Sequence, residues 1–103
     1  MKYVYPAIFR KSIDVEDCYC VDFPDLDGVF TQGYGLYEAI YMAEDVLAFS
    51  LADYEDDGKT IPKPTPIKQI KAAPDEYSTD AFVTLIKVDT EAFRLLDAEW
   101  SLL

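Results

Sequence analysis

Tyr19-Cys20-Val21-Asp22-Phe23-Pro24-Asp25-Leu26-Asp27-Gly28-Val29-Phe30-Thr31-Gln32-Gly33 reads as strand, turn, strand, and it leads directly into the long helical pattern of this chain. Cys18 to Phe23 has the aromatic and β-branched character of a half-buried strand. Pro24 to Gly28 is a turn: proline presets φ, the aspartates bond to nearby backbone, and glycine accepts positive φ. Val29 to Gln32 is the returning strand. The three aspartates could suggest a divalent-cation site, since hard cations take carboxylate oxygens. The spacing fits no calcium loop, because glycine follows the second aspartate at once and the distal glutamate ligand is missing. Turn chemistry accounts for them.

Outward from this hairpin, Tyr3 to Phe9 reads as the first strand. Pro6 makes it an edge strand, or puts that residue at a bulge or a non-bonding position. Arg10 to Asp17 is a polar loop. Leu36 to Tyr54 is a helix, with Leu36, Ala39, Ile40, Ala43, Leu47, Leu51 and Tyr54 recurring at helical spacing. Gly35 is its expected N-cap, a poor one without a side-chain acceptor. Acids crowd the C-terminal end at Glu55-Asp56-Asp57, where the helix dipole disfavours them, and Gly58 closes it. Pro62, Pro64 and Pro66 make the next connection stiff and extended. Phe82 to Val88 is apolar at almost every residue, which predicts a central strand covered on both faces. A short helix follows from Glu91 to about Ala98, and Trp100, Leu102 and Leu103 form an apolar tail. The order β-β-β-α-β-α predicts an α+β two-layer sandwich. Residues 1–88 make the domain, and residues 89–103 are its short C-terminal helix and tail.

The chain has 103 residues, no histidine, and 20 Asp and Glu against 9 Lys and Arg, a net charge of −11. That length supports one core. The charge repels phosphate, which argues against autonomous DNA or RNA binding, and it attracts basic partners. Without histidine, serine-histidine and cysteine-histidine catalysis and imidazole metal sites are excluded. Cys18 and Cys20 share a strand face roughly 6.6 Å apart, near the upper limit for a disulfide, and are read as reduced packing residues. Two thiolates alone make an incomplete zinc site. Gly33-Tyr34-Gly35 lacks the third glycine of a dinucleotide turn and the lysine of a phosphate loop, so it is a tight strand-to-helix turn. The order also resembles a truncated ribonuclease H. A nuclease of that kind needs carboxylates on its first strand and a later one, and Tyr3 to Phe9 and Phe82 to Val88 have none. Neither a cofactor nor a metal is expected, and the chain is not expected to be an enzyme. No signal peptide or membrane span is visible, so a cytoplasmic protein is expected.

Phe9, Phe30, Phe82 and Phe93 are assigned to the core, and Tyr34, Tyr37, Tyr41 and Tyr77 to partly exposed positions. Met42, Val46 and Phe49 widen the apolar face of the helix. That stripe serves either as a broad core face or, with the tail at Trp100, Leu102 and Leu103, as a homo-oligomer contact.

Tyr5-Pro6-Ala7-Ile8-Phe9, Cys20 to Gly28, Phe30-Thr31-Gln32-Gly33, Glu38-Ala39, Gly58 and Ile61-Pro62 together resemble the HicB antitoxin N-terminal domain. The resemblance covers residue 3 to about residue 66 well and Phe82 to Val88 in pattern. It implies a partial ribonuclease H-like fold without catalysis. It also implies binding of a HicA toxin, a small basic mRNA-cleaving protein, by masking its active face, and assembly as a dimer or tetramer. Candidate toxin contacts are Asp22, Asp25 and Asp27 at the turn, Tyr34 and Tyr37 as aromatic anchors, and Glu38 on the helix. Three departures stand out: Tyr34-Gly35 at the helix start, Asp27 where the family often has proline, and only about 15 residues after the last strand. The last leaves no room for the DNA-binding module many members carry. The alternative is a stand-alone oligomeric or regulatory domain without a toxin.

Overall fold

The computed structural model describes residues 1–101, with side chains through residue 96. Its elements are β1 (Lys2–Ser12), β2 (Cys18–Asp22), β3 (Phe30–Tyr34), α1 (Gly35–Asp57), β4 (Ser78–Asp89) and α2 (Thr90–Ser101). A single 3-10 turn, Ile67–Gln69, interrupts the connection before β4. The strands form one antiparallel sheet in the order β3-β2-β1-β4. This is the α+β arrangement that the element order predicts.

Alternation along β1 sends Tyr5, Ala7 and Phe9 to one face, where they meet Val21, Phe23 and Ile86. Ala39, Ala43, Leu47 and Leu51 of α1 pack onto that face and complete the core. Small residues at two of these four positions let the helix lie close to the strands. The approach is closest at Gly33. An added Cβ there would stand 2.6 Å from the Ala39 nitrogen.

The strand expected in the centre is at the edge. β4 borders the sheet, and β1 lies between β2 and β4. The buried run Tyr5 to Phe9 belongs to β1, whereas Phe82 and Leu85 of β4 are 36% and 52% exposed. The largely apolar run Phe82 to Val88 here belongs to a strand flanked on one side only. Pro6 is tolerated in the central strand for a geometric reason. The Thr90 N–H donates to the Met1 carbonyl at 2.9 Å, which continues the β1–β4 ladder. Odd residues of β1 thus turn their polar groups toward β4, and Pro6 turns toward β2. Pairing with β2 covers only Ile8 to Lys11, so the missing N–H falls where no strand asks for it.

The proline-rich connection is pinned at three points. The Tyr5 hydroxyl donates to the Pro62 carbonyl, Thr65 donates from its N–H and its hydroxyl to the Asp25 carboxylate, and Arg10 Nε donates to the Ala73 carbonyl at 3.2 Å. Arg10, Ile8 and Pro6 point away from α1, and Pro6 and Ile8 are buried. The strap thus closes part of the sheet face that α1 leaves open.

Both ends of α1 are repaired by side chains remote from the expected caps. Tyr34 is the N-cap, and Gly35 adopts φ +79° as the chain turns into the helix. Glu38 Oε1 reaches back and accepts from the Tyr34 N–H at 2.9 Å, so the weak cap is supplemented from inside the helix. At the other end Arg94 of α2 places its guanidinium 3.1 Å from Glu55 and 3.0 Å from Asp56, and donates to the Ala52 carbonyl at 3.0 Å. It supplies the positive charge that the last turn of α1 lacks. Glu55 also accepts from the Tyr3 hydroxyl at 2.6 Å and from Thr90 Oγ1 at 3.0 Å. The Tyr3 bond, then Arg94 and Thr90, hold its carboxyl below the usual range against the opposing effect of burial.

Candidate partner-binding surface

Every Asp, Glu, Lys and Arg position in α1 is acidic. At 100° per residue, Tyr37, Glu38, Tyr41, Glu44 and Asp45 share one side of the helix. All five are exposed, Tyr37 at 88% and Tyr41 at 59%. The same side continues to Ala48 and Ala52, but there it is buried. Phe93 of α2 meets Phe49 edge-to-face, with centroids 6.4 Å apart, and Arg94 reaches the Ala52 carbonyl. α2 thus covers the C-terminal half of this side and leaves the N-terminal half as an open ridge of tyrosines and carboxylates. Tyrosine supplies a large, rigid contact area, and the carboxylates give the ridge a single sign of charge. Such a surface is suited to holding a basic partner. It has no nucleophile–base pair.

The residues singled out in the sequence divide into two groups. Tyr37 and Glu38 stand on the ridge, whereas Tyr34 ends β3 and is 58% exposed on the face turned away from α1. Asp22, Asp25 and Asp27 lie at the far end of the β2–β3 hairpin, roughly 16 Å away along a five-residue strand. Asp25 is occupied by Thr65 and anchors the strap. Asp22 lies on the sheet face opposite α1, in a shallow depression shared with Arg10 and Phe30. Asp27 is exposed. The six residues do not form one patch.

Phe30, expected in the core, is 69% exposed. Thr31 and Gly33 take the helix side of β3, so Phe30, Gln32 and Tyr34 face away. Phe82 stacks on Phe9 at 5.2 Å but keeps its outer edge open. Tyr41, Glu44 and Asp45 are the ridge residues missing from the sequence-derived set. Tyr41 follows Tyr37 and Glu38 at i+4 and i+3, and Glu44 and Asp45 follow Tyr41 at i+3 and i+4, which is the signal that places them there.

Of the suggested oligomer contacts, Val46 packs against the core and Met42 is half-buried. Phe49 is 65% exposed. The Trp100 side chain, Leu102 and Leu103 lie outside the described residues. Cys18 is buried and Cys20 exposed, both unpaired, and burial pushes the Cys18 thiol up. Among the described residues, no group of three or more His, Cys, Asp and Glu could hold a metal ion, and no helix is long and apolar enough to cross a membrane.

A family model described as the HicB_like antitoxin of a bacterial toxin-antitoxin system matches residues 5–98. An uncharacterized 14.9 kDa protein from the rep-hol intergenic region of Haemophilus phage HP1 (strain HP1c1) is 36% identical over 86 residues. The match takes in 84% of this chain and 61% of the phage protein, so the chain spans under two thirds of that relative. A chain in a toxin-antitoxin complex from Streptococcus pneumoniae superposes with a TM-score of 0.77 at 25% identity, over 90% of this chain and 73% of that one. The N-terminal domain of the Burkholderia pseudomallei antitoxin HicB superposes with a TM-score of 0.64, over 84% of this chain and 99% of that one. At 23% identity, that likeness is one of fold.

Proposed function

Since this chain belongs to the HicB-like antitoxin family, we propose that it binds a small basic toxin of the HicA type and silences its mRNA cleavage without doing chemistry itself. The observation that carries this reading is the ridge on α1, where exposed tyrosines alternate with carboxylates and no basic side chain intervenes. A protein that cleaves RNA presents positive charge to its substrate. The ridge offers that charge carboxylates in place of phosphates and blocks the site by bulk. Glu44 and Asp45 supply long-range attraction, which speeds encounter at low salt. Tyr37 and Tyr41 supply the desolvated anchors that set how long the complex lasts. Asp22 and Asp27 contribute to the acidic field from the far end of the sheet. Asp25 is kept for the strap.

The test is co-expression with the product of the adjacent gene, followed by pull-down and an RNA-cleavage assay. The expected result is a complex that withstands purification, with cleavage falling as this protein is added. Absence of a complex, or cleavage unchanged by excess protein, would favour a stand-alone domain without a toxin.

A further inference from the structure

The outer edge of β4 is a Pro-free strand that no element of the described residues pairs with, and its polar backbone groups can be assigned. Thr90 bonds to Met1 across the β1–β4 ladder, so even residues of β4 face β1 and odd residues face outward. Val83, Leu85 and Lys87 therefore present free N–H and C=O groups along one line, whereas the Ala81 N–H donates to Asp80 Oδ1 at 2.9 Å. Proteins blunt such edges with charges, prolines or bulges. Here the register irregularity sits at the very start of β4, opposite Lys11 and Ser12, and Lys87 is the one charge between Ala81 and Val88. Phe82 and Leu85, one on each face of the sheet, are 36% and 52% exposed at this edge.

We propose that this edge pairs with the β4 edge of a second copy, antiparallel about a two-fold axis through Thr84, and continues the sheet from one subunit into the other. Charge selects the occupant. In a chain of net charge −11, a second copy is repelled by most of the surface. The stretch Ala81 to Lys87 has no acid, and its lysine offers nothing to a basic toxin. The register follows from the side chains. Directly opposed residues must share a sheet face, so a symmetric antiparallel pair is centred on a residue. Centring on Thr84 sets Phe82 against the partner's Ile86, and Val83 against the partner's Leu85. Apolar residues then meet on both faces, and no like charges are opposed. Val83–Leu85 become the bonded pairs at the centre, and Ala81–Lys87 flank them, the Ala81 N–H exchanging Asp80 Oδ1 for the carbonyl of the partner's Lys87. The two-fold axis is perpendicular to the sheet, so α1 of both copies stays on the same side. This assembly is independent of any toxin.

The test uses the full chain in light scattering at about 100 µM, a concentration at which a micromolar dimer is almost fully formed. The wild type is expected at the dimer mass. Val83→Pro removes an outward donor and leaves the bonds to β1 in place, and Leu85→Lys puts a charge on the seam. Both variants are expected at the monomer mass with an unchanged circular dichroism spectrum. Thr84→Cys, in a Cys20→Ser background, tests the register in a folded protein. Opposed non-bonded Cα atoms lie about 4.5 Å apart, within disulfide range. On oxidation, mass spectrometry is expected to find a disulfide joining the thiols introduced at this position in the two copies. A monomeric wild type, a dimer that survives both edge variants, or a Thr84→Cys protein that does not cross-link overturns the proposal.

Discussion

Gly33→Ala is the single added methyl group with the largest expected effect. The new Cβ would lie 2.6 Å from the Ala39 nitrogen, 2.7 Å from its Cα and 2.8 Å from the Glu38 carbonyl carbon. Carbon contacts are comfortable at about 3.5–4.0 Å, so β3 and α1 must part by about 1 Å. All three atoms belong to helix backbone, which has no rotamer to change. Overpacking of a tight core costs roughly 1–3 kcal/mol, and the absence of any yielding side chain puts this site at about 3 kcal/mol. For a domain of this size that lowers Tm by roughly 12 °C or more. Gly28→Ala is the control. It has φ +73° but nothing within 4 Å, so only backbone strain of about 1 kcal/mol is expected. Equilibrium unfolding in urea, followed by circular dichroism at 222 nm, measures both. If Gly33→Ala lies within about 0.5 kcal/mol of wild type, the size of an ordinary surface substitution, the close approach of helix and strand is not what fixes α1.

Arg94→Ala should lower the urea midpoint by less than Gly33→Ala does, because the 40% exposure of its side chain lets solvent screen its ion pairs, and Arg94→Lys should restore only part because it loses the planar fork. Burial, reinforced by the bond to Glu55, pushes the Tyr3 hydroxyl from 10.0 to about 12, so its contribution is complete below pH 10 and is lost as pH rises toward 12. Glu55 is held below 4.5, so its contribution is present above that pH and is lost as pH falls through the lowered folded value; Tm against pH should show both limbs, with the alkaline one flattened in Tyr3→Phe. Asp25→Ala should release the strap, and trypsin should then cut faster at Lys68 and Lys71 than in wild type. With toxin in hand, Glu44→Lys combined with Asp45→Lys should slow association most at low salt, whereas Tyr37→Ala should speed dissociation by roughly tenfold, as a hot-spot aromatic does; equal effects on both rates would count against the division of labour on the ridge.

The hairpin around Pro24 to Gly28, the long helix and the final strand are all legible in the sequence, because each depends on local chemistry: turn residues, periodicity and β-branched content. The helix runs to Asp57 instead of Tyr54, since its acidic last turn is neutralised by Arg94, which arrives from α2 far along the chain. No pattern within the helix could show that.

The amino-acid sequence by itself determined the element order, the all-acidic charge of the long helix and the absence of imidazole chemistry, because composition and spacing are properties of the chain alone. Tertiary structure decided everything that depends on which elements become neighbours. It put β1 in the centre and β4 at the edge, since Pro6 could turn its missing donor to a gap that only the finished sheet contains. It turned Phe30 outward, because Gly33 had to lie under α1 and alternation then fixed every other residue of β3. It gave Asp25 to the strap and left the ridge from Tyr37 to Asp45 open, because α2 covers α1 only from Ala48 onward. Side-chain identity sets what a residue can do. Whether it is free to do it depends on packing between parts of the chain that are far apart in sequence.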